Sequence, residues 1–249
     1  LVKRVEFLGI DEEALLWNES DAFVFGVDEA GRGCLAGPVC AAVSCWAPFS
    51  PLGENPIVEV RDSKKMTEIM RERAYDPIQW YGFVNGVGYA SAEEIDRWNI
   101  FRATHLAVLR ALEIALQKLH QMNIALEPRE FLFLVDGNQP MVKLGTFFVQ
   151  HEEFAKEFPL TKTLMRNFRE RAIVKGDSKI FSIACASVLA KVSRDRLMAT
   201  IDKQYPQYEF AKHKGYSTAL HVEKIKEYGP CFEHRKTFAP VSENLQLFS

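Results

Sequence analysis

AFVFGVDEAGRG (residues 22–33) carries a short apolar, aromatic and β-branched run, 22–27, straight into Asp28-Glu29 and then into Gly31-Arg32-Gly33. A run of this kind bounded by glycines reads as a buried strand that ends in a loop. PVCAAVSCW (38–46) gives a second strand after Gly37, and GFVNGVGYA (82–90) a third. FLFLV (131–135) repeats the device and delivers Asp136-Gly137-Asn138, while a short strand at 172–175 leads to Gly176-Asp177. Four acids, Asp28, Glu29, Asp136 and Asp177, thus stand at strand ends, where sites are commonly built. A carboxylate that follows a wholly apolar strand is poorly solvated and must be paired, neutral or bound to a cation. Several that converge repel one another unless a divalent ion neutralises them, and an oxygen-only donor set selects Mg2+ or Mn2+ over Zn2+. The bland alternative is that these acids only mark strand-to-loop junctions, where Asp is a common turn residue.

Between the strands the spacing turns helical. A helix is expected at 67–80, a short one behind the capping box Ser91…Glu94, and a longer one capped by Asn99 and running to about Met122. Two more follow at 180–203 and at 217–228, the last stopped by Gly229-Pro230. Because strands come consecutively at the start and alternate with helices only later, the expected fold class is α/β, a mixed sheet flanked by helices with a helical C-terminal part. One domain is expected over 22–241, preceded by an N-terminal extension (1–21) and followed by a tail (242–249). Within it, 139–169 reads as an insertion, since Phe147, Phe148, Phe154 and Phe158 keep no regular spacing.

Composition removes other classes. With 249 residues, 47% hydrophobic and 26% charged, disorder and fibrous repeats are excluded. Five cysteines without a C-x-x-C pair argue against a disulfide framework or zinc ribbon and fit a reducing cytoplasm. The uncharged stretch 33–53 is broken by Gly37, Pro38, Pro48 and Pro51, so no membrane helix is expected, and the start of the chain shows no signal-peptide pattern. The net charge of −2 hides an asymmetry: residues 1–161 hold 15 Lys+Arg against 24 Asp+Glu, residues 162–249 hold 16 against 9. An acidic half for cations and a basic half for phosphates would produce it, as would solvated helix faces. A dinucleotide fingerprint fails because Gly37 comes one place late after Gly31 and Gly33. Basic and hydroxyl residues cluster at Asp62-Ser63-Lys64-Lys65 and at Lys212-His213-Lys214-Gly215-Tyr216. They also cluster along one helix face at Ser187, Lys191 and Arg194, which is a phosphate-contacting stripe or an ordinary solvated face. Tyr216 is placed to stack on a sugar or base, or to cover its own helix start.

Eight ordered blocks resemble bacterial ribonuclease HII from about residue 22 to 241: VDEAGRGCLAGPV (27–39), DSKKM (62–66), YASAEEIDRWNI (89–100), LVDGN (134–138), VKGDSK (174–179), ASVLAKVSRDRLM (186–198), FAKHKGYST (210–218) and HRKTFAPV (234–241). The resemblance implies a ribonuclease H-like fold and a metal-dependent endonuclease that cuts RNA in RNA–DNA hybrids and at ribonucleotides embedded in duplex DNA. It assigns Asp28, Glu29, Asp136 and Asp177 as ligands of two divalent ions, Mg2+ or Mn2+. One ion would activate a water and the other stabilise the leaving 3′-oxygen, giving a 5′-phosphate and a 3′-hydroxyl with the cut on the 5′ side of the ribonucleotide. The 2′-OH reader it implies is Gly31, Arg32 and Gly33 with Tyr216. Further substrate contacts are expected from Ser63, Lys64, Asn99, Ser187, Lys191 and Arg194. Ribonuclease HIII is less similar, because it usually carries an N-terminal substrate-binding domain and lacks the glycine-arginine-glycine loop. Departures from the family pattern are HRKTF for HRRSF, Cys185 and Val188 for the commoner Ala and Ile, and a long gap between Asp136 and Asp177. The rival readings are a module that binds hybrids without cutting and another nuclease of the same fold. A monomer is expected, with no membrane partner. The tail segment NLQLF (244–248), from Asn244 to Phe248, resembles the Q-L-x-L-F peptide that binds bacterial sliding clamps, with Asn in place of the leading Gln; docking onto the protein's own core is the alternative.

Overall fold

Apolar strands without polar alternation need cover on both faces. The structure, a computed structural model describing residues 8–19, 22–46, 59–126, 130–154, 156–164 and 168–245, provides it. Helix α1 (Asp11–Glu19) leads into β1 (Phe23–Ala30) and β2 (Val39–Cys45); α2 (Glu68–Tyr81) precedes β3 (Val84–Ala90), and α3 (Ala92–Gln121) precedes β4 (Phe131–Asp136). Helices α4 (Val142–Gln150) and α5 (Pro159–Leu164) come before β5 (Phe168–Ile173). After it come α6 (Phe181–Gln204), α7 (Phe210–His213), α8 (Ala219–Tyr228) and α9 (Val241–Leu245). The five strands form one mixed sheet in the order β3-β2-β1-β4-β5. The pairs β3–β2 and β2–β1 are antiparallel, whereas β1–β4 and β4–β5 are parallel. Helix α3 covers one face, where Phe25, Val27, Phe133 and Val135 meet Leu106, Leu109 and Leu112. Helix α6 covers the other, where Val24, Leu132 and Leu134 meet Ile183 and where Cys40 and Ala42 pack with Cys185 and Leu189. All five cysteines are free thiols. Among the described residues no helix is long and apolar enough to cross a membrane.

The expected capping box is present, with Ser91 and Glu94 closing it, and Thr67 and Thr218, which the sequence did not single out, cap α2 and α8. Asn99 (φ 61°) interrupts α3, and its Oδ1 accepts from Arg102 N at 3.1 Å, so it caps the longer segment as its position suggests. Two parts differ from expectation. The last strand is Phe168–Ile173 rather than 172–175, because FRERAI lies at the sheet edge and alternates half-buried with exposed positions. Residues 139–169 hold helices that distant carboxylates pin in place. Glu170 accepts from the backbone N–H groups of Met141, Val142 and Lys143 at the start of α4, and Glu113 of α3 accepts from Leu160 N and Thr161 N at the start of α5. This lets Phe148, Phe154 and Phe158 bury against α3. Of the two flanking segments, 8–19 is tied in through Glu13, whose Oε1 accepts from Ser182 N at 2.7 Å, at the start of α6. Asn244 is buried in α9, and Gln246, Leu247 and Phe248 lie outside the described residues, as do Pro48 and Pro51.

The closest packing of α6 on the sheet is over Gly26, where an added Cβ would lie 2.1 Å from the Ser182 carbonyl carbon. Backbone on both sides cannot yield as a flexible side chain can. Gly26→Ala is therefore expected to cost roughly 3 kcal/mol, measurable as a fall in the denaturant midpoint, while Gly33→Ala, with nothing within 4 Å of its Cβ position, leaves that midpoint near wild type.

Candidate active site

Strands β1 and β4 run parallel with Val27 opposite Val135, so the next residues, Asp28 and Asp136, leave the sheet side by side. Alternation puts both on the α6 face, in line with Val24, Leu132 and Leu134. Strand β5 lies parallel beside β4. After it the chain reverses at Lys175 (φ 56°) and enters a 3-10 turn, Gly176–Ser178, that carries Asp177 back towards the other two. Gly176 N and Asp177 N donate to Asp136 Oδ1 at 2.7 and 3.4 Å, and Glu29 N donates to Asp28 Oδ1 at 2.7 Å. One carboxylate oxygen from each of Asp28, Asp136 and Asp177 lies within 4.8 Å of the other two. Glu29, the fourth expected ligand, falls on the opposite side of the strand by the same alternation, and its Oε1 accepts from Arg32 Nη1 at 3.1 Å. It lines the same cleft but stands outside the three-carboxylate cluster.

Burial and mutual repulsion set the electrostatics. Desolvation, then the charges of Glu29 and Asp136, hold the Asp28 carboxyl well above the usual carboxylate range, and Asp177 is raised by burial and by Asp136. Burial also raises Glu29, against the opposing pull of Arg32. Lys64 Nζ sits 3.7 Å from Asp177 Oδ2; partial burial disfavours its charge, but the surrounding Asp177, Asp28 and Asp136 outweigh this and hold it above its ordinary value. One exposed ammonium does not balance three clustered carboxylates. The donor set is all oxygen and has the spacing that a hard divalent cation requires, so these residues fit Mg2+ or Mn2+ and not a thiolate-seeking metal.

Asp28 and Glu29 open into a cleft of about 230 Å³ lined also by Gly31, Arg32, Ser63, Lys64, Ser187, Lys191 and Tyr216. Ser63 and Ser187 share a hydrogen bond at 2.7 Å, and Arg71 Nη1 donates to the carbonyls of Ser63 and Met66, fixing the loop that offers Lys64. Lys191 Nζ donates to Asp195 Oδ1 at 2.7 Å and lies 5.4 Å from the centre of the Tyr216 ring, which is 41% exposed. One expected substrate contact is placed otherwise. Arg194 is fully buried, its Nε, Nη1 and Nη2 donating to the carbonyls of Pro38, Lys214 and Ala36, so its guanidinium does not reach a phosphate on the surface. The helical spacing that suggested a stripe is real, with Ser187 and Lys191 on the cleft, but its Arg194 end is covered by loops. Asn99 is exposed, with its Oδ1 taken by the α3 cap.

Several residues of the site carried no local signal. Arg235 is buried and donates from Nε to Gly37 O, from Nη1 to Arg32 O and from Nη2 to Gly31 O, so it holds the glycine loop from behind. Its segment lies 198 positions or more from those carbonyls, and Arg71 sat on an unremarkable helix face.

The sequence profile of the family described as Ribonuclease HII matches residues 25–241. A protein described as ribonuclease HII from Delftia acidovorans is 43% identical over 236 residues, covering 95% of this chain and 84% of that protein. Among solved structures, ribonuclease H2 from Pyrococcus horikoshii superposes with a TM-score of 0.64 at 23% identity, covering 91% and 98% of the two chains. The ribonuclease HII of the PCNA complex from Archaeoglobus fulgidus does so with a TM-score of 0.60 at 22% identity, covering 87% and 95%.

Because the folded state holds protons on Asp28 and Asp177 more tightly than the unfolded chain does, their ionisation destabilises the metal-free protein as pH rises above the ordinary carboxylate range. Asp28→Asn is therefore expected to raise the melting temperature of the metal-free protein at neutral pH and to weaken the further rise that Mn2+ gives the wild type, both read by calorimetry. Lys191→Ala is expected to fold normally and to lower the slope of log affinity against log salt by roughly one unit. Arg194→Ala, which strands three buried carbonyls, should instead show a lowered melting temperature.

Proposed function

The chain belongs to the ribonuclease HII family, endoribonucleases acting on RNA–DNA duplexes, and on that premise we propose that it nicks duplex DNA on the 5′ side of an embedded ribonucleotide as well as cutting continuous hybrids. The products of this reading are a 5′-phosphate and a 3′-hydroxyl. The observation that carries it is the convergence of Asp28, Asp136 and Asp177, with Asp28 also lining the cleft that holds Gly31, Arg32 and Tyr216. Carboxylates alone would repel a phosphodiester. Divalent ions held by Asp28, Asp136 and Asp177 with Glu29 as the fourth acid, Mg2+ or Mn2+ and two in number, would supply the Lewis acidity for attack by water and for departure of the 3′-oxygen.

The chain's own residues do the rest. Lys64 stands beside Asp177 with its ammonium exposed and offers a donor to the scissile phosphate. Ser187 and Ser63, hydrogen-bonded to each other, line the cleft next to Asp28, and Ser187 donates to its carboxylate. Discrimination must come from the 2′-OH, the one group by which the ribose differs from its DNA neighbours. Arg235 occupies the carbonyls of Gly31 and Arg32 from the protein side, which leaves the loop's other edge to the ligand. Gly31 (φ 88°) has to be glycine, since a Cβ there would lie 2.0 Å from Arg194 Nε, and the space beside Gly33 is open, so a sugar can come close to the backbone. The Tyr216 ring faces the same cleft and is placed to pack on that sugar. A sliding clamp is the further partner in this reading. In this reading NLQLF (244–248) is the clamp-binding peptide; its Asn244 is buried with Nδ2 donating to Pro240 O.

A Mg2+-dependent nicking assay on a duplex with one ribonucleotide, beside an all-DNA duplex, tests the activity: cleavage of the first alone is expected, and cleavage of neither would leave a binding module. In the same assay Tyr216→Ala is expected to slow the single-ribonucleotide substrate more than the continuous hybrid. Equal losses would reduce Tyr216 to a general support of the cleft.

A further inference from the structure

Behind Tyr216 lies a chain of buried histidines that touches neither the carboxylates nor the cleft surface. His221 and His234 are fully buried, and His213 nearly so. His221 Nδ1 lies 2.9 Å from Tyr216 O, His221 Nε2 lies 3.1 Å from His234 Nε2, and Cys231 N donates to His234 Nδ1 at 3.0 Å. A carbonyl can only accept, so His221 carries its proton on Nδ1 and presents a lone pair on Nε2. An amide N–H can only donate, so His234 has its lone pair on Nδ1 and its proton on Nε2. The two assignments, made from opposite ends, meet in one satisfied Nε2–H···Nε2 bond. His213 obeys the same logic, with Nε2 donating to Tyr208 O at 2.8 Å and Nδ1 accepting from Gly215 N at 3.2 Å, and its ring stacks on His221 at 4.2 Å. Burial keeps the rings neutral, His221 down to about 4 and His234 to about 3.

The main chain of Tyr216 is thereby held at both ends, its N–H donating to His213 O at 2.9 Å and its carbonyl accepting from His221 and from Thr218 N. The other end of the chain, His234, is followed directly by Arg235, whose guanidinium holds the carbonyls of Gly31, Arg32 and Gly37. The same segment is stitched to the glycine loop's far side, with Arg235 N donating to Leu35 O, Gly37 N donating to Glu233 O, and His234 bridging Ala36. Two adjacent residues thus grip the two walls of the cleft.

We infer that His234-Arg235 is the positioning element that sets the spacing between the glycine loop and Tyr216, with His234 acting on Tyr216 through His221 and Arg235 acting on the loop directly. This rests on the reading of those two walls as the ribose reader. A side chain that reports one hydroxyl must be held to within fractions of an ångström, and a displacement of about 1 Å costs on the order of a hundredfold in rate. Loss of the His221 link should therefore appear in selectivity before it appears in binding.

The test measures kcat and KM for His221→Leu, His221→Asn and Tyr216→Ala, and for the double variant that combines His221→Leu with Tyr216→Ala, on a single-ribonucleotide duplex and on a continuous hybrid. His221→Leu removes the donor to Tyr216 O and is expected to lower the ratio of single-ribonucleotide to hybrid kcat by roughly tenfold with KM little changed. His221→Asn, which keeps an N–H near the Nδ1 position, is expected to recover most of that ratio. In the Tyr216→Ala background His221→Leu should change the ratio no further. An equal loss on both substrates from His221→Leu, alongside a selective loss from Tyr216→Ala, overturns the positioning inference alone. Equal losses from Tyr216→Ala overturn the reading of Tyr216 itself. Should the His221→Leu variant not fold, nitrogen-15 NMR of the wild-type imidazoles decides: Nδ1–H on His221 and Nε2–H on His234 support the chain, and the opposite tautomers or a charged ring remove it.

Discussion

The pairing of Val27 with Val135 in two parallel strands is the constraint on which the site depends. Each strand is apolar up to its last positions because helices cover both faces, and each then carries an aspartate on the α6 side, Asp28 near the end of β1 and Asp136 at the end of β4. Parallel register leaves those two carboxylates no room to diverge, and the turn after β5 adds Asp177. Like charges held in a desolvated corner raise one another's proton affinity. The backbone relieves part of this through the N–H groups of Glu29, Gly176 and Asp177, and Ser187 and Lys64 relieve a little more. What remains is a charge excess whose natural complement is a small divalent cation. The metal centre is in this sense a consequence of strand register.

Gly26, two residues before Asp28, lets α6 approach until its backbone touches the sheet, which is what brings Ser187 to the carboxylates. The opposite wall depends on two buried arginines. Arg194 and Arg235 each place three nitrogens on three backbone carbonyls, converting loops without regular hydrogen bonding into rigid walls. Arg235 is buried enough that desolvation lowers it to about 10, and it remains charged at neutral pH. The glycines at 31, 37 and 215 complete this arrangement. Each has positive φ, and a Cβ at Gly31 or Gly37 would strike Arg194 or Met198, whereas one at Gly215 would strike Ala36 O. Backbone conformation and arginine packing therefore specify one another.

The segment between β4 and β5 shows why some structure stays hidden. Its helices are short, and α4 has no side-chain cap of its own. The caps come from Glu170, more than twenty positions downstream, and from Glu113 on α3. No window of sequence contains both a helix start and its distant acceptor. The same holds for β5, where edge position exposes alternate residues and dilutes the apolar signal to a few residues at its end.

The sequence by itself determined the sheet's strands wherever both faces are covered, the helix starts marked by Ser91 and Asn99, and the acids at strand ends. These are local signals, since apolar runs and caps act over a handful of residues. The ordered blocks also made the family legible. Tertiary structure alone decided which carboxylates cluster, because a one-residue alternation on β1 separates Asp28 from Glu29. It decided that Arg194 is a buried bolt and not a surface contact, since helical spacing shows a face but not what lies on it. It also assembled three histidines, 8 and 13 positions apart, behind Tyr216, with His221 hydrogen-bonded to His234 and stacked on His213, because tautomer, burial and partner are properties of packed neighbours.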